Sequence, residues 1–207
     1  MARPPTPLLN RERIRKAALE LLDVHGPSGF SMRQLAAALR VSAPSLYSHY
    51  ATKDEVLDDV VDAVIADVDT SGFRHGWRQG VLTWARSYRD ALLAHPGVAP
   101  LVASGTQHRE RFLAMADRVH GGLVGAGWPS RRATEISGAV KFLVIGAVCT
   151  PFASGFSDDP SVYDGRFPNL SQAHRLRAQA ARIDRDAFEL GLVALVDGLA
   201  ASPDAPP

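Results

Sequence analysis

The chain has 207 residues, a length that fits one large domain or two small ones. Hydrophobic residues make up 46% of it, which is normal for a globular protein, and the formal net charge is +1. The single cysteine, Cys149, excludes an internal disulfide and is typical of a reducing cytosol, so we expect a cytoplasmic protein.

The charges are unevenly distributed along the chain. From Met1 to Lys53, eight lysines and arginines stand against three acids, a net charge of +5. The next segment, Asp54–Thr70, has seven acids and no base. A basic segment is what contact with nucleic-acid phosphates requires, so the pattern favours phosphate binding by the first 53 residues.

Neither the ends of the chain nor its apolar runs predict a targeting signal or a membrane span. Residues 1–9 contain three prolines and no hydrophobic signal core, which predicts a flexible arm. The longest apolar run, Phe142–Cys149, is much shorter than the roughly 20 residues that cross a bilayer. We therefore expect no membrane association.

The first predicted helix begins after Asn10, a favourable N-cap residue. Its apolar side chains recur with helical spacing and form one face: Ile14, Ala17, Ala18, Leu21 and Leu22. Gly26-Pro27 predicts the end of this helix.

The segment Phe30–Lys53, FSMRQLAAALRVSAPSLYSHYATK, predicts two short helices joined by a tight turn. Ser31 is a good N-cap for a helix through Arg40. Ser42 caps the next helix, and Pro44 lies in its first turn, where a missing N–H costs nothing. This is the pattern of a helix-turn-helix whose second helix enters the DNA major groove.

A longer helix is predicted to begin at Thr52, which has the spacing of a capping box with Glu55. Its valines, leucine and isoleucine form a wide apolar stripe, and Ser71-Gly72 ends it. The predicted solvated side consists of Asp58, Asp59, Asp62, Asp67 and Asp69.

The rest of the chain predicts more helices and a loop over Ser154–Leu170. The helices are expected near Arg74–Ala94, Val98–Ala103, Gln107–Gly125, Ser130–Ala153 and Asp184–Ala200. No segment shows sustained alternation, so we predict an all-α fold without a sheet. It comprises a three-helix DNA-binding domain (1–53) and a larger helical regulatory and dimerisation domain (54–207), whose residues 54–70 form a linker helix.

The segment Ala17–Val61, AALELLDVHGPSGFSMRQLAAALRVSAPSLYSHYATKDEVLDDVV, resembles the TetR (tetracycline-repressor-like) family of bacterial one-component regulators. The matching features are the helix end at Gly26, the Phe30 and Leu35-Ala36 core, the Val41, Leu46-Tyr47 and His49-Tyr50 recognition helix, and Lys53. A weaker resemblance links Ala187–Ala200, AFELGLVALVDGLA, and AHPGVAPLV after Leu93 to the tetracycline-repressor-type C-terminal domain.

The resemblance implies which side chains meet DNA. Arg33 matches a position that reaches a base edge, where a guanidinium can bind guanine O6 and N7. Small residues would let the recognition helix lie deep in the groove: Ser42, Ala43, Pro44, Ser45 and Ser48. Tyr47, His49 and Lys53 match positions that bind phosphates. The ordinary alternatives are solvated surface residues and, for His49, a packed neutral histidine.

Arg40 departs from the family pattern, which often has glycine in the tight turn. A non-glycine residue in a left-handed conformation costs about 1–2 kcal/mol. Either the turn differs slightly, or Arg40 is tolerated because its side chain meets a phosphate.

Apolar side chains of the later helices are candidates for lining an effector cavity, with ordinary core packing as the alternative. The candidates are Trp84, Tyr88, Phe112, Met115, Phe142 and Phe152. His95 and His108 flank the segment where members of the family often meet ligand. The surroundings of Cys149 predict burial, not redox sensing.

No motif predicts catalysis or a cofactor. The aspartates at 158, 159 and 164 predict a solvated loop, because a metal site needs converging ligands. The sequence contains no Gly-rich phosphate loop, no HExxH, no zinc-spaced Cys/His set and no convincing triad. We therefore expect no enzyme, no cofactor and no metal.

Together, the pattern and the resemblance imply a homodimeric, ligand-responsive repressor. It would bind a palindromic operator in double-stranded DNA and respond to an unknown, largely apolar small molecule. The helices near Ser130–Ala153 and Asp184–Ala200 would pair with their copies in a four-helix interface. Two alternatives stay open: a DNA-binding protein that is constitutive or controlled by a protein partner, and a helical enzyme or binding module whose motif serves only packing.

Overall fold

The computed structural model describes residues 9–105 and 109–206, and every regular element in these ranges is a helix. The α-helices are α1 (Arg11–Gly29), α2 (Met32–Leu39), α3 (Ala43–Tyr47), α4 (Lys53–Ala66), α5 (Trp77–Ala94), α6 (Ala99–Ala103), α7 (Glu110–Gly125), α8 (Ser130–Cys149) and α9 (Ala180–Ala200). Short 3₁₀ helices lie at Ser71–His75, Ala153–Gly155, Pro160–Val162, Pro168–Leu170, Ala173–Arg175 and Arg177–Gln179. The predicted all-α fold is confirmed. The predicted arm, apart from Leu9, and His108 lie outside the described residues.

Local capping bonds set the starts of α1, α2 and α4. The side chains of Asn10, Ser31 and Thr52 each accept a hydrogen bond from the N–H three residues further on, at 2.9, 3.3 and 3.1 Å. Glu55 in turn accepts from the N–H of Ala51 at 2.8 Å. These bonds satisfy backbone donors that have no partner within the helix, and all three predicted caps are confirmed.

Helix α1 is interrupted at Gly26, which adopts φ 65° and ψ 175°. This φ lies in the left-handed region that favours glycine, and Pro27 follows. Before the break, Ile14, Ala18 and Leu22 are fully buried on one face. The helix end predicted at Gly26-Pro27 is confirmed as a break in the helix.

Helix α4 buries its apolar stripe, from Val56 to Ile65. The prediction that all its aspartates are solvated is wrong for three of them. Asp58, Asp59 and Asp62 are half-buried and accept hydrogen bonds from other elements. Helical periodicity places them opposite the apolar stripe, but it does not show that other parts of the chain pack on that side.

The described residues form two compact units. The first takes its residues from Met1–Asp67 and Ala91–Ala114, and the second from Val68–Asp90 and Met115–Pro207. Helix α4 therefore clusters with α1–α3. The division into domains at residues 53 and 54 stays a prediction.

In the second unit, α5 is joined to α9 by ion pairs. Arg86 donates from Nε and Nη2 to the carboxylate of Glu189 at 3.0 and 2.8 Å. Arg78 pairs with Asp197 at 2.5 Å. The start of α5 is fixed by Trp77, whose ring meets that of Trp128 edge-on with centroids 5.1 Å apart.

Helix α8 is apolar but only partly buried. The segment Ser130–Gly155 is long and apolar enough to cross a membrane by length and composition, with a mean hydropathy of 1.7 over its most apolar stretch. Only 22% of that stretch is buried. A helix that meets this test by length and composition need not span a membrane, so the expectation of no membrane association stays a prediction.

Candidate DNA-binding surface and effector-binding core

The turn between α2 and α3 is tight and left-handed at Arg40, which adopts φ 57° and ψ 43°. Its N–H donates to Ala37 O at 3.1 Å, and the N–H of Val41 donates to Ala36 O at 3.0 Å. These bonds close the C-terminus of α2. Arg40 thus has the left-handed conformation that a glycine would adopt at this position. This excludes the first explanation for the missing glycine, that the turn differs from the family's.

Helix α3 carries short polar side chains, and its Leu46 is fully buried. Of the predicted DNA contacts, Arg33, Ser42, Pro44, Tyr47 and Ser48 are exposed, whereas Ala43, Ser45, His49 and Lys53 are half-buried. All nine side chains are therefore at least partly accessible. Their contact with DNA stays a prediction.

The hydroxyl groups of α3 bond to one another and to the backbone. Those of Ser42 and Ser45 lie 2.7 Å apart, and Ser48 donates to Ser45 O at 2.8 Å. Ser42 occupies the N-cap position as predicted but makes no side-chain bond to the helix backbone. Each hydroxyl oxygen keeps lone pairs that can accept from a base edge.

The guanidinium groups of Arg33 and Arg40 are exposed, and no described residue forms a hydrogen bond or ion pair with either. A guanidinium offers five donors in a planar fork that matches phosphate oxygens and guanine. This part of the surface can therefore bind anionic groups without breaking any interaction within the protein.

Lys53 has a structural contact that the sequence did not predict. Its ammonium donates to Phe30 O at 2.9 Å and lies 5.6 Å from the centre of the Phe30 ring. The side chain therefore ties the start of α4 to the loop between α1 and α2. An ammonium has three donors, so Lys53 keeps donors for a phosphate after it has bonded to Phe30 O. Its contact with a phosphate stays a prediction.

The end of the recognition segment is anchored by Arg11, through a contact within the protein that the sequence did not predict. Arg11 donates to His49 O from Nε at 3.1 Å and from Nη2 at 2.8 Å, and its guanidinium lies 4.6 Å from the centre of the Tyr50 ring. Tyr50 is buried, as predicted, and its hydroxyl donates to Asp59, which Arg15 approaches at 3.4 Å. Burial and this bond raise the pKa of Tyr50 well above its usual value.

Among the effector candidates of the second unit, Trp84, Tyr88 and Met115 are buried. The rings of Trp84 and Tyr88 stack with centroids 6.2 Å apart and an angle of 19° between their planes. Trp84 Nε1 is buried and has no hydrogen-bond acceptor among the described residues. A buried donor without an acceptor is uncommon, because its lost hydration is not replaced. Phe112, in the first unit, is also buried.

Phe142 and Phe152 do not share that environment. They are 77% and 63% exposed, so they do not share the buried surroundings of the other four candidates, and their role in effector binding stays a prediction. Both border an open groove of about 290 Å³ along α8 and α9, together with Phe188. The spacing of these two residues along the predicted helix is consistent with a buried face. Spacing alone does not show whether other residues cover that face.

The remaining candidates have ordinary structural roles. His95 Nδ1 lies 2.9 Å from the carboxylate of Asp23, which also accepts from the N–H of Gly97 at 3.3 Å. Cys149 is exposed, so the prediction of burial was wrong, although partial desolvation raises the pKa of its thiol. Asp159 caps the next turn by accepting from the N–H of Ser161, and no group of three potential metal ligands occurs in the described residues.

Two family models match the chain. One is described as bacterial regulatory proteins, tetR family, and matches residues 14–60. The other is described as the tetracyclin repressor-like C-terminal domain and matches residues 73–202. Together they cover both compact units and most of the chain.

Individual proteins show the same similarity. The tetracycline repressor protein class A from transposon 1721 of Escherichia coli is 32% identical over 199 residues, which cover 93% of this chain and 91% of the relative. An HTH-type transcriptional regulator of Saccharopolyspora erythraea is 38% identical over 145 residues, 69% of this chain but only 61% of the relative's length. The structure of the Streptomyces coelicolor TetR family protein ActR in complex with actinorhodin superimposes with a TM-score of 0.67, at 27% identity over 94% of this chain and 98% of ActR.

Proposed function

Because this chain belongs to the TetR family of bacterial transcriptional regulators and carries its DNA-binding helix-turn-helix, we propose that it is a ligand-responsive repressor. It acts as a homodimer on a palindromic operator and is not an enzyme. The observation that carries this proposal is the exposed surface of α2 and α3, where the guanidinium of Arg33 has no partner among the described residues.

In the proposed complex, α3 enters the major groove. The side chains that contact DNA are Arg33, Ser42, Ala43, Pro44, Ser45, Tyr47, Ser48, His49 and Lys53. Arg33 reads a base edge, and Tyr47, His49 and Lys53 hold phosphates. The tether from Arg11 to His49 O fixes the end of the recognition segment, so that these groups reach the DNA without further ordering.

The second copy binds along α8 and α9. These helices pack together in the second unit and leave an outward apolar face that includes Phe142, Leu190 and Val193. Exposed apolar residues grouped on two packed helices are typical of an interaction site. A twofold dimer places two recognition helices about 34–36 Å apart, one turn of DNA, and therefore reads a palindrome.

The effector binds at the stacked pair of Trp84 and Tyr88. It is largely apolar, and it carries a hydrogen-bond acceptor for Trp84 Nε1, which, like Trp128 Nε1, is a buried donor without an acceptor among the described residues. The relative ActR was solved with a bound small molecule, actinorhodin, which supports a small-molecule effector. Binding shifts α4 and the spacing of the two recognition helices. A coupling of about 1–3 kcal/mol changes operator affinity 5–150-fold.

The test is a fluorescence-anisotropy titration of the purified protein with a pool of genomic fragments at several salt concentrations, followed by sequencing of the bound fraction. We expect enrichment of one palindrome and an affinity that falls steeply with salt, by a logarithmic slope of about 0.9 per neutralised phosphate. Absence of binding above background at low salt would overturn the proposal.

A matched pair of variants separates specific from general electrostatic effects. Arg33→Ala should weaken binding to the enriched palindrome about 10–100-fold, since a bidentate base contact is worth about 1–3 kcal/mol. Arg175→Ala removes the same charge from an exposed position in the second unit and should leave the affinity unchanged. Equal effects of the two substitutions would contradict base recognition by Arg33.

A further inference from the structure

Arg89 on α5 is a nearly buried arginine whose charge is poorly neutralised. Its side chain is 11% exposed. Its Nε is buried without an acceptor, and no described residue accepts a hydrogen bond from its other nitrogens. Among the described residues, the one carboxylate within ion-pair distance is that of Asp90, 3.6 Å from Nη1 and itself largely exposed. Burial of a charge without hydrogen bonds is costly, so this guanidinium gains free energy from any anionic acceptor that reaches it.

Glu189 of α9 does not supply that acceptor. Its carboxylate accepts hydrogen bonds from Arg86, at 3.0 Å from Nε and 2.8 Å from Nη2. These bonds and, to a smaller degree, the charge of Arg89 lower the pKa of the Glu189 carboxyl, yet no hydrogen bond joins Arg89 to it. Arg86 is therefore the more exposed and the better paired of the two arginines. Burial alone would favour the opposite arrangement, because the more buried charge has the greater need of a partner.

The remaining neighbour of the Arg89 guanidinium is an aromatic ring. The guanidinium carbon lies 5.0 Å from the centre of the Phe188 ring, and Phe188 is buried. The ring attracts the charge, but it does not replace the hydrogen bonds that a carboxylate accepts from the planar fork of a guanidinium. Phe188 thus holds the cation in place and leaves its donors available.

We propose that Arg89 binds the carboxylate of an aromatic effector. This inference rests on the proposed effector site at the stacked rings of Trp84 and Tyr88. Arg89 directly follows Tyr88 on α5, where successive residues rise by about 1.5 Å, and all three belong to the second unit. The aromatic part of the effector lies against the stacked rings, and its carboxylate reaches the guanidinium.

The chemistry of the pair favours an anion over a neutral group. A carboxylate accepts two parallel hydrogen bonds from a guanidinium, and both are stronger than bonds between neutral groups. An amide of the same shape has one carbonyl oxygen and no charge. Arginine stays protonated at any pH near neutrality, so the effector binds as its carboxylate.

The probes are cinnamate, an aromatic carboxylate, and cinnamamide, its neutral counterpart of nearly the same shape. Isothermal titration calorimetry of the full chain at pH 7 measures the dissociation constant of each. We expect the native protein to bind cinnamate at least about tenfold more tightly than cinnamamide, the lower end for a hydrogen bond to a charged group. Arg89→Gln should reduce this preference below about twofold. Arg78→Gln removes the same charge from a half-exposed position of α5 and should keep the native preference.

Arg89→Met provides a second variant and a second readout. It removes the charge and keeps an unbranched apolar side chain. Because the free protein bears the cost of the poorly paired charge, we expect Arg89→Met to unfold at a higher urea concentration than the native protein and to show no preference for cinnamate. An arginine with a merely structural role would give the opposite result, a lower urea midpoint and equal weakening of both probes.

Equal affinity of the native protein for the two probes, or a preference for cinnamate that persists in both Arg89 variants, would overturn the carboxylate site and leave the apolar effector site standing. Binding of neither probe would overturn it as well. The repressor proposal fails or stands separately, because the operator titration contains no effector. If Arg89→Gln dissociated the dimer and left the preference for cinnamate unchanged, the acceptor would belong to the second copy and the proposal would fall.

Discussion

At the scale of single residues, Arg40 combines backbone strain with an exposed charge. A non-glycine residue in this left-handed conformation costs about 1–2 kcal/mol. Arg40→Gly should therefore raise the free energy of unfolding by about 1 kcal/mol, measured by urea denaturation. If the guanidinium meets a phosphate, the same substitution should reduce the salt slope of operator binding by about 0.9.

Arg40→Ala is the control that separates strain from charge. It removes the guanidinium but keeps the strained side-chain-bearing residue at φ 57°. We expect it to lower the salt slope as Arg40→Gly does, without the gain in stability. A stabilised Arg40→Gly protein with an unchanged salt slope would rule out the phosphate contact.

The residue-scale features that could be predicted are those with short-range signals. The caps Asn10, Ser31 and Thr52 follow from residue type and position alone, because each bond spans three residues. Arg11 and His49 are 38 residues apart, and Arg109 and Asp58 are 51 apart. No local pattern marks such partners, so neither pairing could be predicted from the sequence.

At the scale of elements, the ion pair of Arg86 and Glu189 makes the contact between α5 and α9 dependent on pH. The hydrogen bonds from Arg86 lower the pKa of the Glu189 carboxyl below its usual value. A depressed pKa in the folded state contributes stability above the unfolded-state pKa, near 4.5, and this contribution is lost as the pH falls through the folded value. Glu189→Gln should therefore be less stable than the native protein at pH 7, by under about 1 kcal/mol for so exposed a pair.

The measurement is thermal unfolding of both proteins from pH 7 into acid. The difference in stability should shrink as the pH falls below 4.5, because Glu189 then becomes neutral in the native protein as well. Glu20→Gln, at an exposed position of α1 without a partner among the described residues, should show no such dependence. A constant difference between native protein and Glu189→Gln across this range would show that the pair contributes no electrostatic stability.

Periodicity predicted where the helices lie, but it did not predict which residues pack against them. The helix predicted for Ser130–Ala153 ends at Cys149, and the region predicted as a loop contains several 3₁₀ turns. These turns are stabilised by contacts such as that of Tyr163, whose hydroxyl accepts from the N–H of Ser157 at 2.8 Å. Spacing identifies which residues share a face but not what covers it, so the 77% exposure of Phe142 could not be predicted from the sequence.

At the scale of the whole molecule, the exposed apolar residues of α8 and α9 support the proposed dimer. Leu190 is 74% exposed and Phe142 is 77% exposed. Other isolated apolar residues are exposed too, such as Val24 on α1 at 74%. Exposure of a single side chain is normal on a protein surface, and it is the grouping on two packed helices that points to an interface.

Leu190→Glu should therefore break the proposed dimer, whereas Val24→Glu, an equally exposed change on α1, should not. An unpaired carboxylate in an apolar interface costs at least about 3 kcal/mol, which raises the dissociation constant of the dimer about 100-fold or more. Analytical ultracentrifugation over a range of concentrations measures this shift, and anisotropy should show that the palindrome is bound more weakly in parallel. A Leu190→Glu protein that sediments as the native one does would place the dimer interface elsewhere. If it were monomeric but bound the palindrome with native affinity, the second copy would not be needed for operator recognition.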